Sequence, residues 1–210
     1  DGIRDVAVTG VQTCALPISR AGDGARALLT TPGAGKWYRS SGAKAAQHVS
    51  LEVGEGATLE WLPQETIVFD AALAGLHTDI RLAPTARFLG WEILCLGRTG
   101  SGERFTRGEC RLDTTMRCGD ALLWRERGRI AGGSRLLASP AGLAGHPVCG
   151  TLLASAPQID DALLAQCRAL APREGEGALT RLPRLLVARY LGDSSEAAKL
   201  YFAALRRLLR

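Results

Sequence analysis

A loose repeat across residues 22–125 constrains the fold of this 210-residue chain more than any other feature. Four times, a turn leads through an alanine into a run of alternating apolar residues. The four alanines are Ala25, Ala57, Ala86 and Ala121, at spacings of 32, 29 and 35 residues. Alternation with a period of two indicates half-buried strands, and the regular turns indicate a layered or coiled all-β arrangement. An ordinary β-sandwich with evenly spaced strands is the alternative.

The last third of the chain has a different pattern. Asp160 precedes DALLAQCRALA, whose apolar residues have helical spacing and which Pro172 ends. After a loop at 173–177, LLVARYLG (185–192) is typical of a strand, and Asp193 with Glu196 resembles a cap for the amphipathic segment behind it. We predict a mainly β domain, β-helical or layered and multi-stranded, with two short C-terminal helices and none before about residue 158.

Residues 1–18 share neither period nor composition with the rest of the chain. The stretch from Val8 to Ile18 resembles the translation of a sequencing-library adapter, so we interpret residues 1–18 as a non-native segment, Cys14 included. Residues 19–210 then form a single β-rich domain.

Composition narrows the function classes. The six cysteines include no CxxC pair, which is typical of reduced intracellular thiols. The net charge of +5 is mild and spread out, and the cluster of Arg206, Arg207 and Arg210 suits a helix C-terminus better than a nucleic acid. No apolar run is long enough for a membrane helix, and no secretory signal opens the chain. We therefore expect a cytoplasmic protein that binds neither membrane nor nucleic acid.

Catalytic and metal motifs are weak. TTPGAGKW (30–37) lacks the first glycine and the hydroxyl residue of a phosphate-binding loop, so it is interpreted as a turn between strands. No nucleophile has a recognisable base, which leaves an enzyme acting through Cys95 or Cys110 as a minor alternative. Cys110 and Cys118, eight residues apart and expected on neighbouring strands, are a weak candidate pair for a metal.

Glu92, in the apolar strand FLGWEILCLG (88–97), is the most informative single residue. Both faces of that strand are apolar, and a carboxylate is costly to bury unless it is paired or beside water. One explanation is an ion pair with Arg98 or Arg87. The other is that Glu92 lines a polar internal passage in which cations exchange between carboxylates and water. Glu60 has a weaker version of the same profile, at an ordinary outward position.

Four consecutive blocks of the chain resemble signature blocks of the UreD (UreH) family of urease accessory proteins, in the family's order. The blocks are LLTTPGAGKWYRSSG (28–42), ATLEWLPQETIVFDAA (57–72), LGWEILCLGR (89–98) and VARYLGDSSEAA (187–198). Two departures stand out. The family's N-terminal strands, with their PPGG-VGGD block, and its C-terminal extension have no counterpart in this sequence. The resemblance therefore implies that the domain of residues 19–210 is incomplete at both ends, and that the strand Arg26–Thr31 exposes an unpaired edge that favours aggregation.

The resemblance implies a non-catalytic β-helical scaffold, a metallochaperone that binds UreF and, through it, the GTPase UreG. The complex is expected to dock on apo-urease and to assist nickel insertion during metallocentre assembly, with nickel in transit through an internal tunnel and no tightly bound cofactor. The acidic residue after Trp in the family's block matches Glu92, and Glu60 is a second candidate for the transit path. The alternative is a structural β-rich interaction protein without a metal role.

Overall fold

The computed structural model describes residues 14, 15, 18–156 and 159–210. Its elements, in chain order, are β1 Cys14–Ala15, β2 Ile18–Ala21, β3 Arg26–Leu29, β4 Gly35–Trp37, β5 Ala45–Val53, β6 Thr58–Trp61, β7 Thr66–Val68, β8 Leu73–Leu82, β9 Arg87–Leu96, β10 Glu109–Cys118, β11 Ala121–Ala131, α1 Arg135–Ala138, β12 Val148–Ser155, α2 Asp161–Ala169, β13 Glu176–Leu182, β14 Leu185–Gly192 and α3 Ser195–Leu209. The predicted mainly β fold is confirmed.

The first ten strands wind as a short parallel β-helix. One sheet, sheet A, stacks β2, β5, β8 and β10 in parallel, and β1 pairs with the start of β5. The other, sheet B, stacks β3 and β6 on the first half of β9, and β4 and β7 on its second half. Each coil therefore crosses from sheet A to sheet B and returns, and the space between the sheets becomes the core.

The alanine-led turns of the repeat are the corners of this coil. The N–H groups of Ala25, Ala57 and Ala86 each donate to the carbonyl three residues earlier, at 3.0–3.1 Å. Ala57 and Ala86 are fully buried, where a larger side chain has no room. The corners also bond to one another, since the Glu55 N–H donates to Asp23 Oδ1 (2.9 Å) and the Thr85 N–H to Glu55 Oε2 (3.2 Å).

The fourth unit of the repeat does not form a coil of the β-helix, contrary to the prediction. Ala121 begins β11, which turns back and pairs antiparallel with β10 instead of starting another coil. From there the chain crosses to sheet B, where β12 and β14 extend β9 in antiparallel pairing and β13 completes the edge. The loop expected at 173–177 is shorter than predicted, because β13 already begins at Glu176.

Helices α2 and α3 cover the outer face of sheet B. Their buried residues, among them Leu164, Phe202 and Leu205, pack against Ile93 and Leu152 of the sheet. Asp160 caps α2 as predicted, whereas α3 is capped by Ser194, whose Oγ accepts from the Ala197 N–H at 3.1 Å, and not by Asp193. Two short helical turns also lie before residue 158, contrary to expectation: a 3-10 turn at Thr99–Ser101 and α1.

The helical turn α1 has a local cause in the sequence. The good helix formers of RLLA (135–138) follow a turn at Gly132 and Gly133, where the chain crosses from sheet A to sheet B. Leu137 then packs against the core between the sheets. The longest helix in the described residues, α3, has 15 residues and carries Lys199, Arg206 and Arg207, and no helix in that part of the chain could cross a bilayer.

The segment assigned to residues 1–18 lies mostly outside the described residues, including Val6–Val11. Where it is described, Cys14, Ala15 and Ile18 pair with β5, and β2 begins at Ile18. A domain boundary between residues 18 and 19 therefore stays a prediction, and the described pairing gives it no support.

Candidate functional site

Glu92 lies in the middle of β9, on the face that looks into the space between the two sheets. The Glu92 side chain shares this inner face with Phe88 and Leu94. Trp91 and Ile93 lie on the outer face of β9 and point to the helices. The alternation predicted from the sequence is thus correct. One face of this strand packs against α3, and the other places a carboxylate inside the β-helix.

An internal cavity of about 90 Å³ lies beside Glu92. Its volume is well above the roughly 15 Å³ that one buried water needs. Residues from every coil line it, from Thr31 and Gly35 of the first coil to Thr114 on the last strand of the parallel stack. Seven of the lining residues carry oxygen on their side chains and point inward from the two sheets: Gln47, Thr66, Thr78, Glu92, Thr114, Glu126 and Thr151.

The ion pair considered for Glu92 is not formed. The Arg98 guanidinium binds Glu103 instead, at 2.8 Å, and Arg87 is exposed at the start of β9. In the part of the chain that the structure describes, no cation pairs with the Glu92 carboxylate. Burial, followed by the negative charge of nearby Glu126, raises the pKa of Glu92 to about 7. The Glu92 side chain is half-buried, and it forms part of the cavity wall.

Glu126 is the second carboxylate of the cavity, and sequence analysis missed it. It lies on β11 opposite Thr114, and Arg189 Nη1 donates to its Oε1 at 2.8 Å. The same Nη1 donates to Thr151 Oγ1 at 2.5 Å. Glu92, Thr151 and Arg189 occupy directly opposed positions on β9, β12 and β14, so they form one polar row across sheet B.

The sequence pattern that singled out Glu92 is also present at Glu126 and Arg189. Glu126 alternates with Trp124 and Ile130 on the inward face of β11, and Arg189 follows Val187 on the inward face of β14. A charged residue on the apolar side of an alternating strand marks each of them.

Glu60 lies on the opposite side of sheet B from the cavity. The outward position expected from the sequence is therefore correct, but the side chain is buried there because α3 covers it. Arg206 Nε donates to its Oε2 at 2.7 Å and Arg210 Nε to its Oε1 at 3.0 Å. These bonds tie the end of α3 to β6, and a role for Glu60 in metal transit stays a prediction.

The cysteines do not form the metal pair considered above. Cys110 and Cys118 are the two ends of the same strand, β10, not residues of neighbouring strands. Eight residues of strand separate them by about 26 Å, so they cannot share an ion. Within the described residues, no group of three or more His, Cys, Asp and Glu side chains could hold a metal ion.

The thiols are also poor nucleophiles. Burial raises the pKa of Cys95 to about 11 and raises the pKa of Cys110 further still. Both residues are therefore thiols at neutral pH, and the thiolate is the reactive form.

The TTPGAGKW segment leads into β4, as the predicted turn between strands.

Comparison with known proteins identifies the family of this chain. The family model described as UreD urease accessory protein matches residues 18–210. A urease accessory protein UreD of Dechloromonas aromatica is 53% identical over 196 residues, which are 91% of this chain and 68% of that protein. A UreD of Azoarcus sp. BH72 is 52% identical over 189 residues, which are 90% of this chain and 66% of that protein. A UreD of Pseudomonas aeruginosa PAO1 is 52% identical over 192 residues, which are 91% of this chain and 68% of that protein. The chain spans about two thirds of the length of these relatives, and it belongs to the UreD family of urease accessory proteins.

Proposed function

We propose that this protein is a non-catalytic scaffold and metallochaperone for urease maturation. Together with UreF and the GTPase UreG it docks on apo-urease in the cytoplasm and assists insertion of nickel into the active site. Nickel is cargo in transit and not a resident cofactor. Family membership supports the role in maturation, because the relatives are named accessory proteins and not enzymes.

The observation that carries the proposal is the unpaired Glu92 carboxylate on the wall of a cavity lined by all coils of the β-helix. A passage for a metal ion needs ligands that exchange readily, since a site that binds too tightly does not release its ion. Carboxylate, amide and hydroxyl oxygens with water suit that requirement better than clustered thiolates or imidazoles. The cavity offers such oxygens from Gln47, Thr78, Thr114 and Thr151 around Glu92.

The test is Glu92→Gln in the full-length protein. The amide keeps the shape of the side chain and removes the charge that a cation would bind. We expect the variant to fold and to co-purify with UreF while urease activation falls severalfold, measured as urease activity and nickel content after co-expression. Glu174→Gln, in an exposed loop outside the cavity, removes the same charge and serves as the control. Normal activation by Glu92→Gln would overturn the proposal.

A structural β-rich interaction protein without a metal role is the second candidate. It is favoured by the apolar packing of most of the space between the sheets, which by itself requires no ion. The two candidates differ in the same experiment. A purely structural role predicts that activation follows complex formation alone, so that every variant that binds its partners also activates urease.

A further inference from the structure

Arg189 stands at the solvent side of the cavity. Its side chain is 42% exposed and is not part of the cavity wall, yet its Nη1 donates to two residues that are, Glu126 and Thr151. The guanidinium therefore lies between the cavity and solvent, where β11 of sheet A faces β14 of sheet B. A cation already occupies the place where an entering or leaving metal ion would meet its first carboxylate.

The two carboxylates of the cavity are in different states because of this contact. Glu126 is bound by Arg189, whereas Glu92 has no cationic partner among the described residues. They are close enough for the charge of Glu126 to raise the pKa of Glu92. A divalent ion held by both carboxylates would be bound more strongly than an ion held by one, so the Arg189 contact removes half of the negative charge available to it.

Arg189 has a second stabilising contact, which it makes at the same time as its bond to Glu126. Its Cζ lies 5.5 Å from the centroid of the Trp124 ring, two residues before Glu126 on the same strand. A guanidinium over an indole face keeps part of its electrostatic stabilisation, and the exposed side of Arg189 keeps its hydration. Releasing Glu126 therefore does not strand a buried charge.

We propose that Arg189 is a cationic gate, which holds Glu126 while the passage is empty and gives it up to a passing divalent ion. The inference rests on the proposed function and adds a regulating residue to it. The gate keeps the resting affinity of the passage for metal low. When the ion leaves, Arg189 returns to Glu126 and competes with its recapture.

The test is nickel binding to the full-length protein, titrated with Ni²⁺ alone by calorimetry. Arg189→Met removes the charge and keeps the length of the side chain, so both carboxylates are free. We expect about tenfold tighter Ni²⁺ binding than in the wild-type protein. Arg189→Lys keeps the charge and should bind Ni²⁺ as weakly as the wild type. Arg129→Met, which removes an equal charge from β11 at the outward-facing ion pair with Glu109 of β10, should also leave the affinity unchanged.

The double variant Arg189→Met/Glu126→Gln identifies the ligand. If the gate exists, this variant loses the gain in affinity, because the carboxylate released by Arg189 is no longer present. Circular dichroism and urea unfolding of each variant show whether it is folded. If Arg189→Met does not fold, Arg189→Gln, which also removes the charge but can still donate to Thr151, should show the same gain in Ni²⁺ affinity. Unchanged Ni²⁺ affinity in a folded Arg189→Met protein would overturn the gate. If Glu92→Gln still lowers activation in that case, the proposed function stands and only the gate fails.

Discussion

At the scale of single residues, burial and a neighbouring like charge act on Glu92 in the same direction. Both disfavour the carboxylate, which raises its pKa from 4.5 to about 7, so much of the residue is protonated at neutral pH while the cavity is empty. Arg189 stabilises the Glu126 carboxylate by pairing with it, but it does not pair with Glu92. Retaining an unpaired acid inside a β-helix has an energetic cost that a stability measurement can detect.

The cost depends on pH with a defined sign. Below about pH 4.5 Glu92 is protonated in both the folded and the unfolded protein and has no effect on the free energy of unfolding. Between pH 4.5 and 7 the unfolded chain ionises first, so stability is progressively lost, up to about 3 kcal/mol above pH 7. We expect Glu92→Gln to match the wild type near pH 4.5 and to exceed it by roughly that amount at pH 8.

Urea unfolding of the two proteins at both pH values checks this prediction. Glu174→Gln, exposed and outside the cavity, controls for the change in net charge. The ion-pair explanation considered from the sequence predicts the opposite result at pH 8, a loss of about 3–5 kcal/mol from a stranded buried arginine. A difference between Glu92→Gln and wild type that does not change with pH contradicts the burial account.

At the scale of elements, α3 is held on sheet B by charged contacts as well as by its apolar face. Arg206 and Arg210 bind Glu60 on β6, and Lys199 Nζ binds Glu65 at 2.7 Å just before β7. The sequence had suggested that the arginines simply favour a helix C-terminus. Their contacts with Glu60 instead fix how the end of the helix lies over the sheet.

Two neighbouring arginines of α3 separate these explanations. Arg206 contacts the buried Glu60 with 19% of its side chain exposed, whereas Arg207 is on the exposed side of the helix. We expect Arg206→Gln to lower the free energy of unfolding by about 2 kcal/mol, less than for a fully buried pair because Arg210 still contacts Glu60. Arg207→Gln should change it by no more than about 0.5 kcal/mol. Equal losses, measured by urea unfolding, would favour the helix-terminus explanation.

Local sequence predicted the elements better than their directions. The turn-and-alanine units correctly marked the corners before β3, β6 and β9, because turn chemistry and period-two alternation act over a few residues. The fourth unit has the same local signal, but its strand β11 pairs backward with β10. Whether a strand after a turn continues a coil or folds back depends on which backbone edge is free, and no short segment carries that information.

In the candidate site, too, local sequence predicted single residues but not which residues meet. Glu92 was found because an acid on an apolar strand is anomalous by itself, and its inward face followed from alternation. That Glu126 and Arg189 join it was not predictable, since the three residues lie on β9, β11 and β14 in two different sheets. Likewise, the burial of Glu60 depends on α3, which is distant in sequence by 146 residues at Arg206.

At the scale of the whole molecule, the ends of the two sheets differ in how they are protected. The edge strand β11 carries Arg125, Arg127 and Arg129 on its exposed side, which disfavours pairing with another chain. The edge strand β3 carries one exposed charge, Arg26, where β11 carries three. Among the described residues it pairs only with β6, and Leu28 is 49% exposed on it.

The last prediction concerns this edge. The carbonyls of Ala25 and Leu29 accept from Thr58 and Leu62, so the N–H and C=O groups of Arg26 and Leu28 point away from β6. We expect the 210-residue chain to self-associate at tens of micromolar through this edge, as seen by sedimentation velocity. Leu28→Lys should shift it toward the monomer by placing a charge on the edge. Leu200→Lys, at an exposed leucine of α3 where the backbone is already hydrogen-bonded, should not. If the wild-type chain stays monomeric, or both lysine variants dissociate it equally, the β3 edge is not what drives association.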